Sequence, residues 1–346
     1  MIHIGIDHHK RYSHVNLLDD SGMVLWEGRL GNDSSDFESL KARFIGDAPV
    51  RSVLEAGRNW GPLFDTLEEL GLNPVLANPI KVRAIAEAQI KTDAIDAQTL
   101  AMLLKGNLIP RVHVPTKEVR DQKNLLRHRM YLVKTKTALK NRIHNLLDRN
   151  HQKPPAVSDI FGAWGRAWLS NLQLPELDAK LLDADLAMLD ALNAQIKETE
   201  KWIETALESD RNIELVRTLP GIGKTLGAII ALEIGSVERF PNAAKLSSYA
   251  GLVPTTYSSG GKTFHGGLLP GCNRHLRCAF TEAAWVTIRV SPYFGAFFNR
   301  LKLRRGTNKS IVAVARKLCE TCFHCLRTRT PYRESLYQFR GTLKVP

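Results

Sequence analysis

The sequence predicts an α/β domain, followed by long helices and then by a mostly helical last region. Three observations carry this prediction. Short strand-like and helix-like stretches alternate over the first 110 residues, two long segments with an aliphatic residue at every seventh position follow, and glycine-rich turns then separate further helical stretches. We therefore expect three regions, residues 1–115, 116–208 and 209–346.

The first region begins as an antiparallel meander. Apolar stretches predict its strands, and the sequence Asp-Asp-Ser-Gly at 19–22 predicts the turn of a hairpin. Further on, helical spacing of apolar residues alternates with short strands. The expected strands are Ile2–Ile6, Val15–Leu18, Val24–Leu30, Arg51–Glu55 and Pro74–Ala77, and the expected helices are Phe37–Phe44, Gly61–Leu70 and Ile80–Leu104.

The residue pattern of the middle region predicts two long helices. No proline or glycine interrupts the chain from Glu118 to about Asn150, and leucine recurs there every seven residues until Pro154-Pro155 ends the helix. A second heptad segment follows, with apolar residues at Leu182, Leu189, Ile196 and Ile203. This pattern fits a coiled-coil hairpin or a dimer arm, and it fits equally well an ordinary amphipathic pair packed within one chain.

The charge of the chain points to a polyanionic partner. Lys and Arg number 48 against 35 Asp and Glu, which gives a net charge of +13 and a pI near 9.6. Most of the excess lies in residues 111–153, with twelve basic and three acidic residues, and in residues 296–346, with twelve and two. A solvated helix usually mixes its signs, so these blocks favour contacts with backbone phosphates and place nucleic acid ahead of an anionic membrane surface.

Localisation follows from what the sequence lacks. There is no secretory leader and no apolar run of membrane-spanning length. Five cysteines, an odd number in a chain of this size, do not form a disulfide framework. We expect a cytoplasmic protein with reduced thiols and no membrane partner.

Four carboxylates stand on elements that could bring them together. Asp7 ends the first strand, Glu55 ends a later one, and Asp93 and Asp96 share one face of a helix through their i, i+3 spacing. Oxygen ligands of this kind suit Mg²⁺ or Mn²⁺, and two such ions about 4 Å apart could clamp the attacking and leaving oxygens of a phosphoryl transfer. Taken singly, Asp93 and Asp96 are better explained as solvated surface residues and Asp7 as a turn residue, whereas the four acids taken as an ordered set favour the functional interpretation.

The same acids carry a family resemblance. Together with "GIDHHK" at the start and "KTDAIDAQTLAMLL" around the last pair, they resemble the DEDD pattern of the insertion-sequence 110 family of transposases. In the last region "RTLPGIGKTLGAIIALEIG", "FPNAAKLSSYAGLVP", "YSSGGK" and "RGTNKSIVAVARKL" are similar to that family's C-terminal transposase domain. The resemblance covers nearly the whole chain.

The resemblance implies a fold and a chemistry. The first domain would be RNase H-like, similar to the junction resolvase RuvC, as in the related pilin-gene invertases. A serine in "YSSGGK" would attack the phosphodiester, and matching the serine directly before the glycine assigns it to Ser259, with Ser258 as its neighbouring alternative. Taken alone, the segment is typical of a flexible glycine-serine loop.

The resemblance also implies partners. These are the element ends and target DNA, a structured noncoding guide RNA often called a bridge RNA, and further copies of the chain in a dimer or tetramer at the nucleoid. The target sequences and the guide RNA are not encoded in the chain. A junction resolvase that uses water and a nonenzymatic nucleic-acid-binding protein remain as rival interpretations.

Several residues outside the acidic set are candidates for nucleic-acid contacts. "LPGIG" followed by a helical run resembles a helix-hairpin-helix element, although a capped turn without a ligand explains it too, and a nucleotide-binding P-loop fails because Thr218 stands where its first glycine is needed. His8 and His9 adjoin Asp7 and are either phosphate contacts or structural residues. The candidates for nucleic-acid binding are Gly221, Gly223, Lys224, Lys262, Arg274, Arg127, Lys134 and Arg142.

The late cysteines invite a second metal hypothesis. Cys319, Cys322 and Cys325, with His324, and with Cys272 and Cys278 to complete the set, have the residue types of a zinc site. On a single helix, however, the three late cysteines would wind around it, whereas structural zinc sites usually combine ligands from two elements. Small buried helix residues are the better interpretation.

Overall fold

The computed structural model of the 346-residue chain describes residues 1–86, 92–157, 159–207 and 210–334. The described residues form two compact units, which divide between Pro115 and Thr116. The first unit contains a five-stranded sheet and the second is mostly helical. Within the described ranges, no helix has the length and apolar character that crossing a membrane requires.

The sheet of the first unit has strands in the order β3-β2-β1-β4-β5. The first three strands are antiparallel, while β4 is parallel to β1 and β5 is parallel to β4. All five expected strands are confirmed, with ends that differ by no more than two residues. Their bounds are β1 Ile2–His8, β2 Ser13–Leu18, β3 Val24–Leu30, β4 Val50–Glu55 and β5 Pro74–Ala77.

Helices cover both faces of this sheet. Helices α1 (Ser34–Phe44) and α2 (Trp60–Glu69) pack on the face that carries the buried side chains of Ile4, Ile6 and Leu54. The opposite face carries Val53, which packs with Leu100 and Leu104 of a later helix. The alternation of side chains along β1 and β4 therefore decides which residues lie beneath which helix.

The single helix expected over Ile80–Leu104 is wrong. The structure has α3 (Pro79–Ile85) and a separate α4 (Asp93–Lys105), and the expected segment between them, residues 87–91, lies outside the described residues. Thr92 has an extended backbone and its hydroxyl accepts a hydrogen bond from the Ile95 N–H at 3.2 Å. A threonine that caps a helix in this way begins the helix, so Asp93 and Asp96 lie in its first turn.

Two long helices dominate the start of the second unit. Helix α5 (Lys117–Arg149) confirms the helix expected over 118–150, and α7 (Glu176–Ala206) confirms the second heptad segment, with the short α6 (Ala163–Ser170) between them. Leu139, Ile143 and Leu146 of α5 are buried with Leu182, Leu186 and Leu189 of α7. Ion pairs join the two helices in antiparallel order, namely Arg149 to Asp178, Arg142 to Asp185 at 2.8 Å and Arg129 to Glu200 at 2.7 Å.

The rest of the second unit is a helical core with one β-hairpin. The helix expected at 311–326 is confirmed within the longer α13. The hairpin of β6 (Pro254–Ser259) and β7 (Lys262–Leu268) is a finding, because a flexible loop is what glycine and serine alone indicated. The remaining helices are α8 (Arg211–Arg217), α9 (Lys224–Ile234), α10 (Ala243–Tyr249), α11 (Arg274–Val290), α12 (Pro292–Arg305) and α13 (Thr307–Thr328).

Candidate functional site

Two strand ends bring the first pair of acids to one edge of the sheet. Ile6 of β1 pairs with Leu54 of the parallel β4, so Asp7 and Glu55 follow at the same level on neighbouring strands. Ile6 and Leu54 face α1 and α2. Because side chains alternate along a strand, Asp7 and Glu55 both belong to the face that α4 covers.

The close approach of α4 depends on Gly5. A Cβ at this position would overlap the Ala97 carbonyl oxygen and lie 2.5 Å from the Ala101 backbone nitrogen. With no side chain at Gly5, α4 packs directly on β1 at Ala97 and Ala101, and the preceding first turn of α4 then brings Asp93 beside Asp7. Negative side chains in a first turn are also favoured by the helix dipole.

His9 joins two of these acids. Its Nε2 atom lies 3.1 Å from Asp7 Oδ2 and 3.2 Å from Asp93 Oδ2. The Nε2 atom is buried and neither contact gives it a hydrogen bond. Ligand atoms of Asp7, His9 and Asp93 all lie within 4.8 Å of one another, which is close enough for a single ion to contact all three.

Tyr12 contacts Asp93 directly, and Arg29 packs on the ring of Tyr12. The Tyr12 hydroxyl donates a hydrogen bond to Asp93 Oδ2 at 2.9 Å, and the Arg29 guanidinium lies 3.9 Å from the centroid of the Tyr12 ring. The hydrogen bond from Tyr12 lowers the pKa of Asp93, and the charges of His9 and Arg29 lower it further. Asp93 is thereby kept ionised and fixed in direction.

The pKa of Asp7 is shifted in the opposite direction to that of Asp93. Burial raises its pKa, and the charges of Asp96 and Asp93 raise it further, although His9 partly offsets them. Carboxylates that repel one another beside a buried, unbonded nitrogen are stabilised when a cation binds among them. The donor set therefore fits a hard divalent ion, with Asp7, His9 and Asp93 close together, Asp96 in the same first turn of α4 as Asp93, and Glu55 at the end of the adjacent strand.

Sequence reasoning placed these four acids and missed two of their partners. The sequence does not predict a role for Tyr12, and it leaves His9 open as either a phosphate contact or a structural residue. The signal for His9 was its position two residues after Asp7, since a turn directly after a strand can fold back on that strand. Tyr12 offered no signal, because its partner Asp93 is 81 positions away.

Ser259 lies at the tip of the β6–β7 hairpin and is exposed. Gly260 and Gly261 form a two-residue turn with φ of +57° and +75°, the conformation that a tight hairpin requires and glycine adopts readily. Ser259 pairs with Lys262 across this turn, while Ser258 pairs with Thr263, with 3.4 Å between their hydroxyl oxygens. The two candidate serines therefore point to opposite faces of the hairpin.

The "LPGIG" turn connects α8 to α9, as a helix-hairpin-helix element would. Gly221 has φ of +77°, and a Cβ there would lie 2.7 Å from Thr287 N and 2.8 Å from the Ala283 carbonyl oxygen. Packing against α11 therefore explains this glycine without a phosphate. Gly223 begins α9 beside open space, and the Lys224 ammonium lies 3.1 Å from Glu204 Oε1.

The basic residues of α5 divide into paired and unpaired groups. Lys123 and Arg127 both contact the buried carboxylate of Glu233, at 3.5 and 2.8 Å, and Asn273 donates to it at 2.8 Å. Arg142 pairs with Asp185, as above. Lys134, and likewise Lys262 of the hairpin and Arg274 at the start of α11, are exposed.

The cysteines of α13 are core residues. Cys319, Cys322 and Cys325 are buried among apolar side chains, and the five cysteines are free thiols. Burial raises the pKa of Cys319 and Cys322 well above the ordinary value and that of Cys325 to about 11. These thiols stay protonated, and their environment favours the small buried residue over the zinc ligand.

Comparison with known protein families identifies the class of protein to which the chain belongs, the DEDD transposases. A family model described as a transposase of the DEDD type in IS110 elements matches residues 4–152, which include all four acids. A second model, for the transposase of the IS116/IS110/IS902 family, matches residues 213–299, which include Ser259.

Two relatives align with nearly the whole chain, and a third aligns with about half of it. The transposase for insertion sequence element IS1111A of Coxiella burnetii is 26% identical over 95% of this chain and 91% of its own length. An uncharacterized 43.6 kDa protein of insertion element IS110 from Streptomyces coelicolor is 24% identical over 97% of this chain and 96% of its own. The mini-circle putative transposase for IS117 from the same species is 33% identical over 52% of this chain and 40% of its own.

These matches settle the family. The chain belongs to the IS110 family of transposases. Membership implies an enzyme that transfers DNA strands and therefore binds DNA, and it suggests the use of a divalent metal ion.

Proposed function

We propose that this transposase cuts and rejoins DNA through Ser259, with Mg²⁺ or Mn²⁺ held by Asp7, Glu55, Asp93 and Asp96. The observation that carries the proposal is the cluster of Asp7, His9 and Asp93, at the sheet edge where Glu55 ends the neighbouring strand. The strand order, with three antiparallel strands followed by two parallel ones, supports an RNase H-like, RuvC-like domain.

The residues around the metal site prepare it for a charged substrate. A divalent ion bound there would stabilise the negative charge that develops on a phosphodiester during transfer. Tyr12 fixes Asp93 in its ionised form, and His9 limits the repulsion between Asp7 and Asp93. Gly5 keeps Asp93 and Asp96 over the end of β1 by admitting α4 close to the strand.

Ser259 supplies the nucleophilic oxygen in this proposal. As its oxygen bonds to phosphorus, one bond from phosphorus to a sugar oxygen breaks; the serine loses its proton and the departing sugar oxygen gains one. Lys262 lies directly opposite Ser259, so its ammonium is placed to contact a phosphate that approaches the serine. Exposure of the hairpin tip gives DNA access to both residues.

The two basic segments support a second nucleic acid. We propose that a structured noncoding guide RNA selects the DNA sites, with α5 and residues 296–346 as its main electrostatic contacts. Lys134, Lys224, Lys262, Arg274, Arg127 and Arg142, with the backbone at Gly223 and Gly221, remain the proposed nucleic-acid contacts. Family membership suggests assembly into a dimer or a tetramer at the nucleoid, although the heptad leucines Leu139, Leu146, Leu182 and Leu189 are buried against each other within the chain.

Strand cleavage with defined metals tests the proposal. A DNA carrying the element end should be cut in Mg²⁺ or Mn²⁺ and not after chelation, and Asp7→Asn and Asp93→Asn should abolish cutting while DNA binding persists. Full cutting by either variant contradicts the metal site. A junction resolvase would give the same metal dependence but would cut equally well as Ser259→Ala, because water is its nucleophile.

A further inference from the structure

Two large aromatic side chains lie exposed on the hairpin that carries Ser259. Tyr257 is 68% exposed and Phe264 is 64% exposed. They are directly opposite each other across β6 and β7, two residues along the strands from the pair formed by Ser259 and Lys262. Leaving two rings in water forgoes the stabilisation that their burial would give, so their exposure calls for a partner outside this unit.

The pairing places both rings on the same face as the serine. Residues two apart on a strand share a face, so Tyr257 lies with Ser259 and Phe264 lies with Lys262. The distance along the strand from Tyr257 to Ser259 is about 7 Å at about 3.3 Å per residue. A hydroxyl, an ammonium group and two rings thus line one exposed surface, which we term the aromatic face of the hairpin (Tyr257, Ser259, Lys262 and Phe264).

The charge around this face identifies the partner. Residues 239–281 contain five Lys or Arg and not one Asp or Glu, and three of the five, Lys245, Lys262 and Arg274, are exposed, so the segment around the hairpin carries exposed positive charge and no negative charge. Arg274 lies exposed at the start of α11, where the chain leaves the hairpin. An apolar protein partner would not need this charge, whereas a nucleic-acid strand offers both phosphates for the cations and flat bases for the rings.

We propose that Tyr257 and Phe264 stack on unpaired DNA bases beside the phosphate that Ser259 attacks. Stacked bases at this distance would hold the strand with its phosphate in reach of Ser259 and Lys262. Since every base has an aromatic surface, the contact positions the strand without reading its sequence. Tyr257 and Phe264 are therefore positioning residues, and this role rests on the proposed function of Ser259.

The test uses the full chain and a single-stranded probe. The probe is a 20-nucleotide thymidine oligomer with one 2-aminopurine, whose fluorescence is quenched on stacking. Tyr257→Leu and Phe264→Leu should each weaken binding about tenfold, which corresponds to about 1.4 kcal/mol, and should relieve the quenching. The dependence of binding on salt should keep its slope, because neither change removes a charge.

Matched variants separate stacking from general damage. Tyr257→Phe and Phe264→Tyr keep a ring and should bind like the parent chain. Trp164→Leu removes an aromatic side chain of similar exposure, 62%, from α6 and should also leave binding unchanged. Each variant should have the same melting temperature as the parent chain, which would show that its fold is intact.

Three outcomes overturn or separate the proposals. Unchanged affinity and quenching in both leucine variants overturn the stacking role, whatever Ser259 does. Weakening confined to the corresponding uridine RNA probe overturns the assignment to DNA. If ring-dependent DNA stacking is found but Ser259→Ala still cuts DNA, the stacking inference stands and the serine proposal fails.

Discussion

Gly5 of β1 lies against Ala97 of α4 so closely that no side chain fits between them. This contact fixes the height of α4 above the sheet, and with it the positions of Asp93 and Asp96 over Asp7. The acidic site therefore depends on a residue that has no functional group.

Replacing Gly5 should damage both stability and catalysis. Gly5→Ala forces α4 away from β1, because the new Cβ meets backbone atoms of Ala97 and Ala101 that cannot rotate aside. We expect a loss of about 1–3 kcal/mol in the free energy of unfolding, measured in urea, together with a loss of metal-dependent cutting. Gly61→Ala is the control: it lies in α2 beside open space and should stabilise the chain by about 1 kcal/mol.

Asp7 should destabilise the metal-free protein. Burial and the nearby acids raise its pKa, so the fold favours the protonated form, and the ionised form at pH 7 opposes folding. Asp7→Asn should therefore raise the melting temperature in the presence of a chelator at pH 7. The gain should shrink as the pH falls toward 4, where Asp7 of the parent chain takes up its proton.

Asp93 provides the contrast for that experiment. Its pKa is lowered by Tyr12, so its ionised form favours the fold, and Asp93→Asn should give no gain in melting temperature. An equal gain from both variants would show that general repulsion, and not the separate environments of Asp7 and Asp93, sets the stability of the site.

The fold was largely predictable from the sequence, and the site was predictable in part. Strands such as Val24–Leu30 carry their own signal in local apolar patterns and turn residues. The break before α4 was missed because apolar residues recur on both sides of it, so that only the capping role of Thr92 marked it. Tyr12 could not be foreseen, because its contact with Asp93 exists only after β1 and α4 have packed together.

The buried charges of Glu233 and Lys123 in the second unit should be strongly coupled in their effect on the free energy of unfolding. Burial alone would raise the pKa of Glu233, but Lys123, Asn273 and Arg127 lower it below its ordinary value near 4.5. Glu233→Gln leaves Lys123, 8% exposed, without its carboxylate, and should cost about 3 kcal/mol in the free energy of unfolding. The double variant with Lys123→Met should recover most of that loss.

The same network of charges makes the free energy of unfolding depend on pH in the acid range. Because the folded chain holds Glu233 with a lowered pKa, its stabilising effect is complete above pH 4.5 and is lost as the pH falls further. The parent chain should lose stability more steeply below pH 4.5 than the double variant does. Parallel curves, or no recovery in the double variant, would contradict the coupling.

The exposed and the ion-paired cations of α5 should contribute differently to the salt dependence of nucleic-acid binding. Lys134→Gln should lower the salt dependence of RNA and DNA binding by about one unit of slope, because an exposed ammonium that contacts a phosphate releases a counterion. Lys123→Gln should leave the slope unchanged, since Lys123 is buried against Glu233. Equal slopes for Lys134→Gln and the parent would mean that this face of α5 does not contact phosphate.

The most direct test of the account is to locate the covalent bond between protein and DNA. The chain is incubated with element-end DNA and Mg²⁺, the reaction is stopped with denaturant, and the DNA-linked peptide is mapped by mass spectrometry. We expect a phosphodiester on Ser259 that is lost in Ser259→Ala and in Asp7→Asn and is retained in Ser258→Ala. Cut DNA without any linked peptide, or a link to Ser258, would contradict it.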